Sequence, residues 1–301
     1  MSRLFSGVLP AVMTPFDAEL AIDDSELAGS VNWLIGAGVS GLVATGTMGE
    51  ASALSEAERE HVAELVVAAA DGSVPVIVGV SSDTPDRAAR LATAAQRAGA
   101  RGLMCTPPPS YRADEQEIAA FFTSVAAATD LPLMVYNNPS VTHNDLSPRL
   151  IAELGGVDTV SAVKETSGDC RRIAEILDLT DGAMDVLVGG DDWALEGVAA
   201  GATGWVSGCG VVAPAESVAL FDACIAGHLD RARHIYRHLL PLARLDMQPK
   251  LVQYFKAALD EIGRYGGPCR PPRLPLTATE AARVEAAVET LRRMADAPAY
   301  R

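Results

Sequence analysis

Eight short apolar runs, separated by longer segments rich in alanine and leucine, constrain the fold of this chain more than any other feature. The runs cover residues 7–13, 41–45, 75–80, 102–105, 133–136, 160–164, 185–188 and 204–207. Most of them are nearly continuous rather than alternating, which indicates a parallel sheet covered by helices. Eight strand–helix units in about 220 residues are typical of a (β/α)₈ TIM barrel, an α/β fold. An open, doubly wound sheet is the alternative.

The intervening segments carry helix signals. The segment 55–70 opens with Ser55-Glu56-Ala57-Glu58, a serine and acid arrangement that caps helices, and 84–98 and 115–128 are further candidates. After Ala213 the chain reads as wholly helical, with candidate helices near 215–225, 229–243, 250–262 and 279–294. We therefore predict a (β/α)₈ barrel over residues 1–228. A C-terminal helical extension, 229–301, belongs to the same structural unit, and the proline-rich segment 267–275 is a stiff connection within it.

The charge and cysteine content narrow the possible partners. The chain has 39 acidic and 24 basic residues, a formal charge of −15, which disfavours nucleic acid or an anionic membrane as partner. Its five cysteines are odd in number and form no C-x-x-C pair, as expected of a reduced, cytoplasmic protein. No apolar run reaches transmembrane length, and the first residues do not resemble a signal peptide. We expect a cytoplasmic protein that acts on a small molecule.

Lys164, at the end of the sixth apolar run, is the first candidate for chemistry. A buried ammonium is costly unless it is paired or neutralised, and a neutral amine can attack a carbonyl to form a Schiff base. The active site of a (β/α)₈ barrel lies at the C-terminal ends of its strands, where this lysine stands. A lysine that simply reaches water is the alternative.

Two further strand ends carry polar groups. The turn Gly46-Thr47-Met48-Gly49-Glu50 offers a hydroxyl and closely spaced N–H groups that can hold a carboxylate, although it can also be a tight turn without function. Glu50 can brace that turn or act chemically. Tyr136 ends the fifth run, and its phenol can shuttle protons beside a Schiff-base lysine or simply pack. The combination of Lys164, Tyr136 and this turn indicates Schiff-base chemistry more specifically than any one of the three does.

Two other patterns are weaker. Gly208-x-Gly210-x-x-Ala213 imitates a dinucleotide fingerprint, but only helices follow it, so we do not expect NAD binding. Asp191 and Asp192 have no histidine or third carboxylate near them in sequence, and an N-cap of the next helix is favoured over a metal site. We expect neither a metal nor an organic cofactor.

Taken together, these residues resemble the dihydrodipicolinate synthase and N-acetylneuraminate lyase superfamily of class I aldolases. The likeness runs from Gly7 to Leu276 and includes 46–50, Tyr136-Asn137-Asn138-Pro139, Lys164-Glu165 and Gly190-Asp191. The resemblance implies that Lys164 is the Schiff-base nucleophile, that Tyr136 relays protons, and that Thr47 and the Met48 backbone hold a 2-oxo acid carboxylate. Tyr111 resembles the family's catalytic tyrosine contributed across a subunit interface, in a homotetramer built as a dimer of dimers. The remaining substrate-binding residues implied are Gly49, Gly190, Val206 (through its main chain) and Ser207.

The chain also departs from the family pattern. Met48 stands where a second threonine is usual, Val141 where synthases carry an arginine for the second substrate's carboxylate, and Val211 where an asparagine is usual. Loss of that arginine disfavours lysine biosynthesis, because hydrogen bonds to charged groups contribute about 1.5–3 kcal/mol.

Segments 204–208, 249–256 and 271–276 resemble the branch that includes Δ1-pyrroline-4-hydroxy-2-carboxylate deaminases. We therefore predict conversion of 1-pyrroline-4-hydroxy-2-carboxylate to 2-oxoglutarate semialdehyde and ammonia. The alternatives are a 2-keto-3-deoxy sugar acid dehydratase, a pyruvate-dependent aldolase, a 4-hydroxy-tetrahydrodipicolinate synthase, and a non-catalytic paralogue that binds a 2-oxo acid.

Overall fold

The computed structural model describes residues 3–295, and the parts of the predicted segments at 1–2 and 296–301 lie outside them. All eight predicted strands are present. They are β1 (Gly7–Pro10), β2 (Leu42–Ala44), β3 (Val76–Gly79), β4 (Gly102–Cys105), β5 (Leu133–Asn137), β6 (Val160–Glu165), β7 (Asp185–Val188) and β8 (Gly204–Ser207). The first strand ends at Pro10 rather than at Met13, because the chain there leaves β8 and turns towards β2.

The strands form one closed parallel barrel. Their order is β1-β8-β7-β6-β5-β4-β3-β2, so each strand lies beside its neighbour in sequence and the order never reverses. The two ends of the sheet are joined where Ala11 bridges Val43 and the Val12 N–H donates to the Val43 carbonyl at 2.8 Å. The alternative of an open, doubly wound sheet is therefore wrong, since that fold has a point of reversed strand order.

Twelve helices cover the barrel and extend it within the described residues. They are α1 (Asp24–Gly36), α2 (Glu56–Ala70), α3 (Pro85–Ala98), α4 (Glu115–Ala126), α5 (Pro139–Thr142), α6 (Pro148–Leu154), α7 (Arg171–Leu179), α8 (Ala194–Ala199), α9 (Pro214–Ile225), α10 (Leu229–Ala243), α11 (Leu251–Glu261) and α12 (Ala278–Ala295). The predicted cap of α2 is confirmed: the Ser55 hydroxyl accepts from the Glu58 N–H, and the Glu58 carboxylate accepts from the Ser55 N–H.

The apolar core has two layers, which follow from the two-residue period of the strands. One layer packs between the sheet and the helices. The other fills the barrel interior and consists of Phe5, Leu9, Val43, Ile77, Met104, Met134, Tyr136, Ala162, Leu187 and Val206. Side chains at the C-terminal end of this inner layer therefore meet at the mouth of the barrel.

The C-terminal helices share the barrel's core. Val252, Phe255 and Val288 belong to the same buried cluster as the outward residues of the strands. The segment between α11 and α12 is tied to the barrel by Arg270, whose guanidinium donates to the Leu20 carbonyl and to the Glu58 carboxylate. That hydrogen bond is the main reason that the pKa of Glu58 falls to about 2. No helix among residues 3–295 is long and apolar enough to cross a membrane.

Candidate active site

Lys164 and Tyr136 point into the mouth of the barrel. Met134 and Ala162 belong to the interior layer, so the side chains two residues further along β5 and β6 point the same way. The strand register pairs Tyr136 with Lys164, and the Lys164 Nζ lies 4.0 Å from the centroid of the phenol ring. Both are largely buried, at 6% and 7% exposure. The structure thus brings the two predicted catalytic residues together, and their roles remain predictions.

Lys164 differs from the other lysines of the chain in having no ionic partner. The sequence contains three lysines, and Lys256 pairs with Glu50 while Lys250 pairs with Glu280. In the described part of the chain, Lys164 forms no ion pair. A largely buried amine that forms no ion pair stands where a Schiff-base nucleophile of a barrel enzyme is expected.

Gly189 provides the space through which the lysine side chain passes. It follows β7 at an inward position, and a Cβ there would lie 2.9 Å from the Lys164 Cε and 1.8 Å from the Thr166 hydroxyl. Any side chain at Gly189 would therefore displace the lysine.

Asn138 orients the Tyr136 phenol. Its amide nitrogen donates to the phenol oxygen at 2.8 Å, and its amide oxygen accepts from the Ser140 hydroxyl at 2.7 Å. A donor on the phenol oxygen leaves the phenol proton free for transfer and stabilises the phenolate once the proton has left. Asn138 belongs to the 136–139 motif, but nothing in the sequence pattern indicates this contact with the phenol.

The turn after β2 presents backbone donors at the mouth. Thr47 is exposed there, whereas Met48 is buried. Among the hydrogen bonds of residues 3–295, the N–H groups of Thr47, Met48 and Gly49 find no protein acceptor. Free N–H groups beside a hydroxyl form a cradle that suits a carboxylate.

Glu50 braces this cradle rather than facing the cavity. It is fully buried, its backbone is left-handed (φ 54°), and one carboxylate oxygen lies 2.9 Å from the Lys256 Nζ. The other oxygen accepts from the Arg270 N–H at 3.1 Å and lies 3.4 Å from the Arg273 guanidinium. The turn is thereby tied to the segment between α11 and α12. Of the two roles predicted for Glu50, bracing is the one that the geometry supports.

A cavity of about 360 Å³ opens at this mouth. Its polar lining comes from Thr47, Tyr136, Asn138, Ser140, Lys164, Thr166, Asp246 and Gln248. Lys164 is the one cation among its lining residues in the described chain. Val141, where synthases carry an arginine, also lines it and is 45% exposed.

Asp191 does not cap a helix, so that prediction is wrong. The helical turn at 191–193 and helix α8 both lack a side-chain cap. Instead the buried Asp191 carboxylate reaches across to β8, where it accepts from the Trp205 indole at 3.0 Å, the Ser207 hydroxyl at 3.2 Å and the Gly208 N–H at 3.1 Å. The Cys209 N–H donates to it as well. Donors on β8 and on the loop after it therefore bind this carboxylate, and the N–H groups of its own helix do not.

Asp246 lies beside Asp191 and was missed by sequence reasoning. It follows α10 and is partly buried at the edge of the cavity. A Cβ placed on Gly208 would lie 2.9 Å from an Asp246 oxygen and 3.0 Å from an Asp191 oxygen, so the two carboxyl groups converge above Gly208. No pattern near Asp246 marks it, because only the packing of the C-terminal helices brings it to the barrel mouth.

The remaining predicted residues divide into two groups. Val206 lines the cavity, and its main-chain contact with the substrate stays a prediction. Gly49, Gly190 and Ser207 do not line it, and the Ser207 hydroxyl is fully buried against Asp191. Tyr111 lies away from the cavity of its own chain with 48% of its surface exposed. Substrate contacts by these four residues, including the intersubunit role of Tyr111, stay predictions.

The arrangement suits covalent chemistry on a carboxylate-bearing carbonyl compound. The cradle on β2 and the lysine on β6 lie on opposite sides of the barrel, and the phenol on β5 flanks the lysine. Among residues 3–295, no cluster of three or more His, Cys, Asp or Glu side chains could hold a metal ion.

Comparisons with known proteins also place this chain in the family that its sequence resembles. A model of the dihydrodipicolinate synthetase family matches residues 4–291. The 4-hydroxy-tetrahydrodipicolinate synthase of Methanothrix thermoacetophila is 35% identical over 297 residues, 97% of this chain and 98% of that protein. The protein of the same name from Haloarcula marismortui is 37% identical over 241 residues, 80% of this chain and 78% of that protein.

A solved structure extends the comparison to the fold. YagE of E. coli K12, a prophage protein of the dihydrodipicolinic acid synthase family in complex with pyruvate, superposes with a TM-score of 0.91 at 29% identity. The match covers 96% of this chain and 99% of YagE. The curated relatives carry synthase names, so the predicted deaminase branch finds no support in them. The chain belongs to the dihydrodipicolinate synthetase family and is an aldolase-type enzyme that works through a lysine Schiff base.

Proposed function

We propose that Lys164 forms a Schiff base with C2 of pyruvate or another small 2-oxo acid, or with its cyclic imine, and that Tyr136 relays the protons. The observation that carries this proposal is the pair itself: an amine without an ionic partner, 4.0 Å from a phenol ring, in a cavity that also contains a carboxylate cradle. The YagE complex with pyruvate supports a ligand of this class for the family.

The chemistry follows from these positions. The substrate carboxylate binds to Thr47 and the Met48 N–H, which places C2 at the Lys164 Nζ. The amine adds to C2, and loss of water, or of the ring amine from a cyclic imine, leaves a protonated imine. Tyr136 carries the protons between nitrogen, oxygen and solvent. The cationic imine withdraws electrons and acidifies the C3 protons, so C3 becomes a nucleophile.

Two reactions of that C3 nucleophile are supported by different observations. Condensation of bound pyruvate with an aldehyde, as in a 4-hydroxy-tetrahydrodipicolinate synthase, is supported by the names of relatives that match nearly the whole chain. Elimination of a C4 hydroxyl is favoured by the cavity itself, where Val141 replaces the expected arginine and Asp246 adds an acid. The elimination candidates are 1-pyrroline-4-hydroxy-2-carboxylate deamination and dehydration of 2-keto-3-deoxy sugar acids.

Borohydride trapping tests the shared step. The wild-type protein is reduced in separate tubes with pyruvate and with 1-pyrroline-4-hydroxy-2-carboxylate, and the adduct is measured by intact mass and located by peptide mapping. We expect an adduct on Lys164 that is absent from Lys164→Ala and retained in Lys250→Ala, whose lysine pairs with Glu280 on the surface. Mapping to Lys250 or Lys256, or no adduct with either compound, would refute the Schiff-base assignment.

Product analysis then separates the two reactions. Consumption of aspartate semialdehyde together with pyruvate would establish the synthase, whereas ammonia released from the pyrroline acid would establish the deaminase. Pyruvate released from a longer sugar acid would indicate retro-aldol cleavage. Ligand-induced stabilisation without turnover of any of these compounds would indicate a non-catalytic binding protein.

A further inference from the structure

The carboxyl groups of Asp191 and Asp246 form a pair on the flank of Lys164 opposite Tyr136. Tyr136 stands on β5, before the lysine strand, while Asp191 follows β7 and Gly208 follows β8 on the other side. The two carboxyl groups converge above Gly208, each with an oxygen within 3.0 Å of the position that a Cβ would occupy there. A substrate carbon attached to Lys164 would therefore have a phenol on one side and an acid pair on the other.

The two acids of this pair have different surroundings. Asp191 is buried, lies outside the cavity lining and accepts hydrogen bonds from four donors on β8 and its following loop. Asp246 lines the cavity and forms no ion pair in the described chain, and the backbone N–H of Asp191 donates to its carboxyl group. Burial raises the pKa of Asp191 to about 6 although four donors favour its charged form. The charged form of Asp246 is favoured only by one backbone N–H and by the nearby Lys164 charge, and its burial outweighs both.

We propose that Asp246 is the acid–base residue that acts on the C4 oxygen of the substrate bound to Lys164. The inference rests on the proposed function, because it assumes that Lys164 carries the substrate. It deepens that function by assigning the substrate class: 2-oxo acids, or their cyclic imines, that carry or acquire a hydroxyl at C4. Asp191 lies beside Asp246 and positions its carboxyl group.

The charged and titratable groups that face Asp246 are Asp191, Asp192, Lys164 and the Cys209 thiol. Burial is the main cause that raises the pKa of Asp246 above its ordinary value, and the charge of Asp191 raises it further. The Lys164 charge acts in the opposite direction. A carboxyl group held protonated near neutral pH can donate a proton to a departing oxygen.

Elimination of the C4 hydroxyl takes place in two steps. Loss of a C3 proton to the Tyr136 relay converts the protonated imine into an enamine. The enamine electron pair forms the C3–C4 double bond, the C4–O bond breaks, and the Asp246 proton joins the departing hydroxyl to give water. Asp246 is left as a carboxylate and regains a proton from solvent. In an aldol condensation the same proton goes to the aldehyde oxygen as the C3–C4 bond forms, which leaves a C4 hydroxyl.

The test compares Asp246→Asn with the wild type in two assays. The first is borohydride trapping with pyruvate, which has no C4 and reports only on Lys164. The second is turnover of C4-hydroxylated probes, namely 1-pyrroline-4-hydroxy-2-carboxylate and a 2-keto-3-deoxy sugar acid, and of pyruvate with aspartate semialdehyde. We expect the variant to trap pyruvate as well as the wild type but to turn over the C4 substrate about 10²–10⁴-fold more slowly. Asp230→Asn is the matched control, because Asp230 on α10 is fully exposed, does not line the cavity and is expected to behave as the wild type.

A third assay separates proton donation from a structural role. The probe is a substrate analogue with fluorine in place of the C4 hydroxyl. Fluoride can leave without being protonated, so elimination from this analogue should be nearly as fast in Asp246→Asn as in the wild type. Turnover of the hydroxyl substrate within threefold of wild type would overturn the proposal. So would an equal loss of trapping and turnover, or a wild-type enzyme that traps pyruvate yet converts none of the C4 probes. Failure of the wild type to trap any 2-oxo acid would instead refute the proposed function on which the inference rests.

Discussion

The buried ion pair between Glu50 and Lys256 gives the sharpest prediction about stability. Glu50 is 0% and Lys256 2% exposed, and 2.9 Å separates their charged atoms. Removing one member of a buried pair costs about 3–5 kcal/mol, because the other charge is left buried without a partner. Replacing both members by uncharged groups is often close to neutral.

The contacts of each partner set the order of the single variants. In Lys256→Met, Glu50 keeps the Arg270 N–H and the Arg273 guanidinium, so we expect the lower end of that range. In Glu50→Gln, both Lys256 and Arg273 lose their countercharge, so we expect the upper end. Unfolding entropy is about 2.1 cal/mol/K per residue, so for 301 residues a loss of about 3–5 kcal/mol lowers the melting temperature by about 5–8 °C.

Thermal unfolding of the two single variants and of the double variant tests this reasoning. We expect the double variant to lose less stability than the sum of the singles, by about 0.5–3 kcal/mol, as is usual for residues in contact. Lys250→Met is the control, because a partly exposed pair contributes only about 0–1 kcal/mol. Additive losses, or a Lys256→Met shift no larger than that of the control, would contradict the account. Because Glu50 follows the cradle directly, Glu50→Gln is also expected to weaken trapping of pyruvate.

Two further predictions concern the site. Tyr136→Phe is expected to slow formation of the Lys164 adduct by about 10²–10⁴-fold, measured as the rate at which the borohydride-trapped mass appears. Asn138→Ala keeps the phenol but removes its hydrogen-bond donor, so we expect a smaller effect. A wild-type rate in Tyr136→Phe would exclude the phenol as the proton relay. The raised pKa of Asp246, caused mainly by burial, means that its carboxyl group destabilises the fold once the pH rises above the ordinary value near 4. Asp246→Asn is therefore expected to melt at a higher temperature than the wild type at pH 8 and at about the same temperature near pH 4. A lower melting temperature of the variant at pH 8 would show that burial of this acid is not destabilising.

The fold could be predicted from the sequence because the apolar pattern that indicates each strand is local. Continuous apolar runs of four to seven residues predicted the strands, and β4, β7 and β8 have the predicted bounds. Closure of the barrel was an inference from strand number, and the bridge between Ala11 and Val43 decided it. Some observed strand ends differ from the predicted ones, such as the end of β1 at Pro10. These ends depend on where the chain changes from one partner strand to another, which is decided by the tertiary structure.

The site divides along the same line. Lys164, Tyr136 and the cradle turn stand at strand ends, where the two-residue period and the barrel's geometry determine their position, so the sequence by itself located them. Asp191 looked like a helix cap because caps are local, but the donors that it binds lie on β8 and the loop after it. Asp246 lies in the turn between α10 and α11, far along the chain. Only the packing of α10 and α11 over the barrel mouth places its carboxyl group beside Asp191 and the lysine, because that contact depends on how whole elements pack and not on any pattern in the sequence around it.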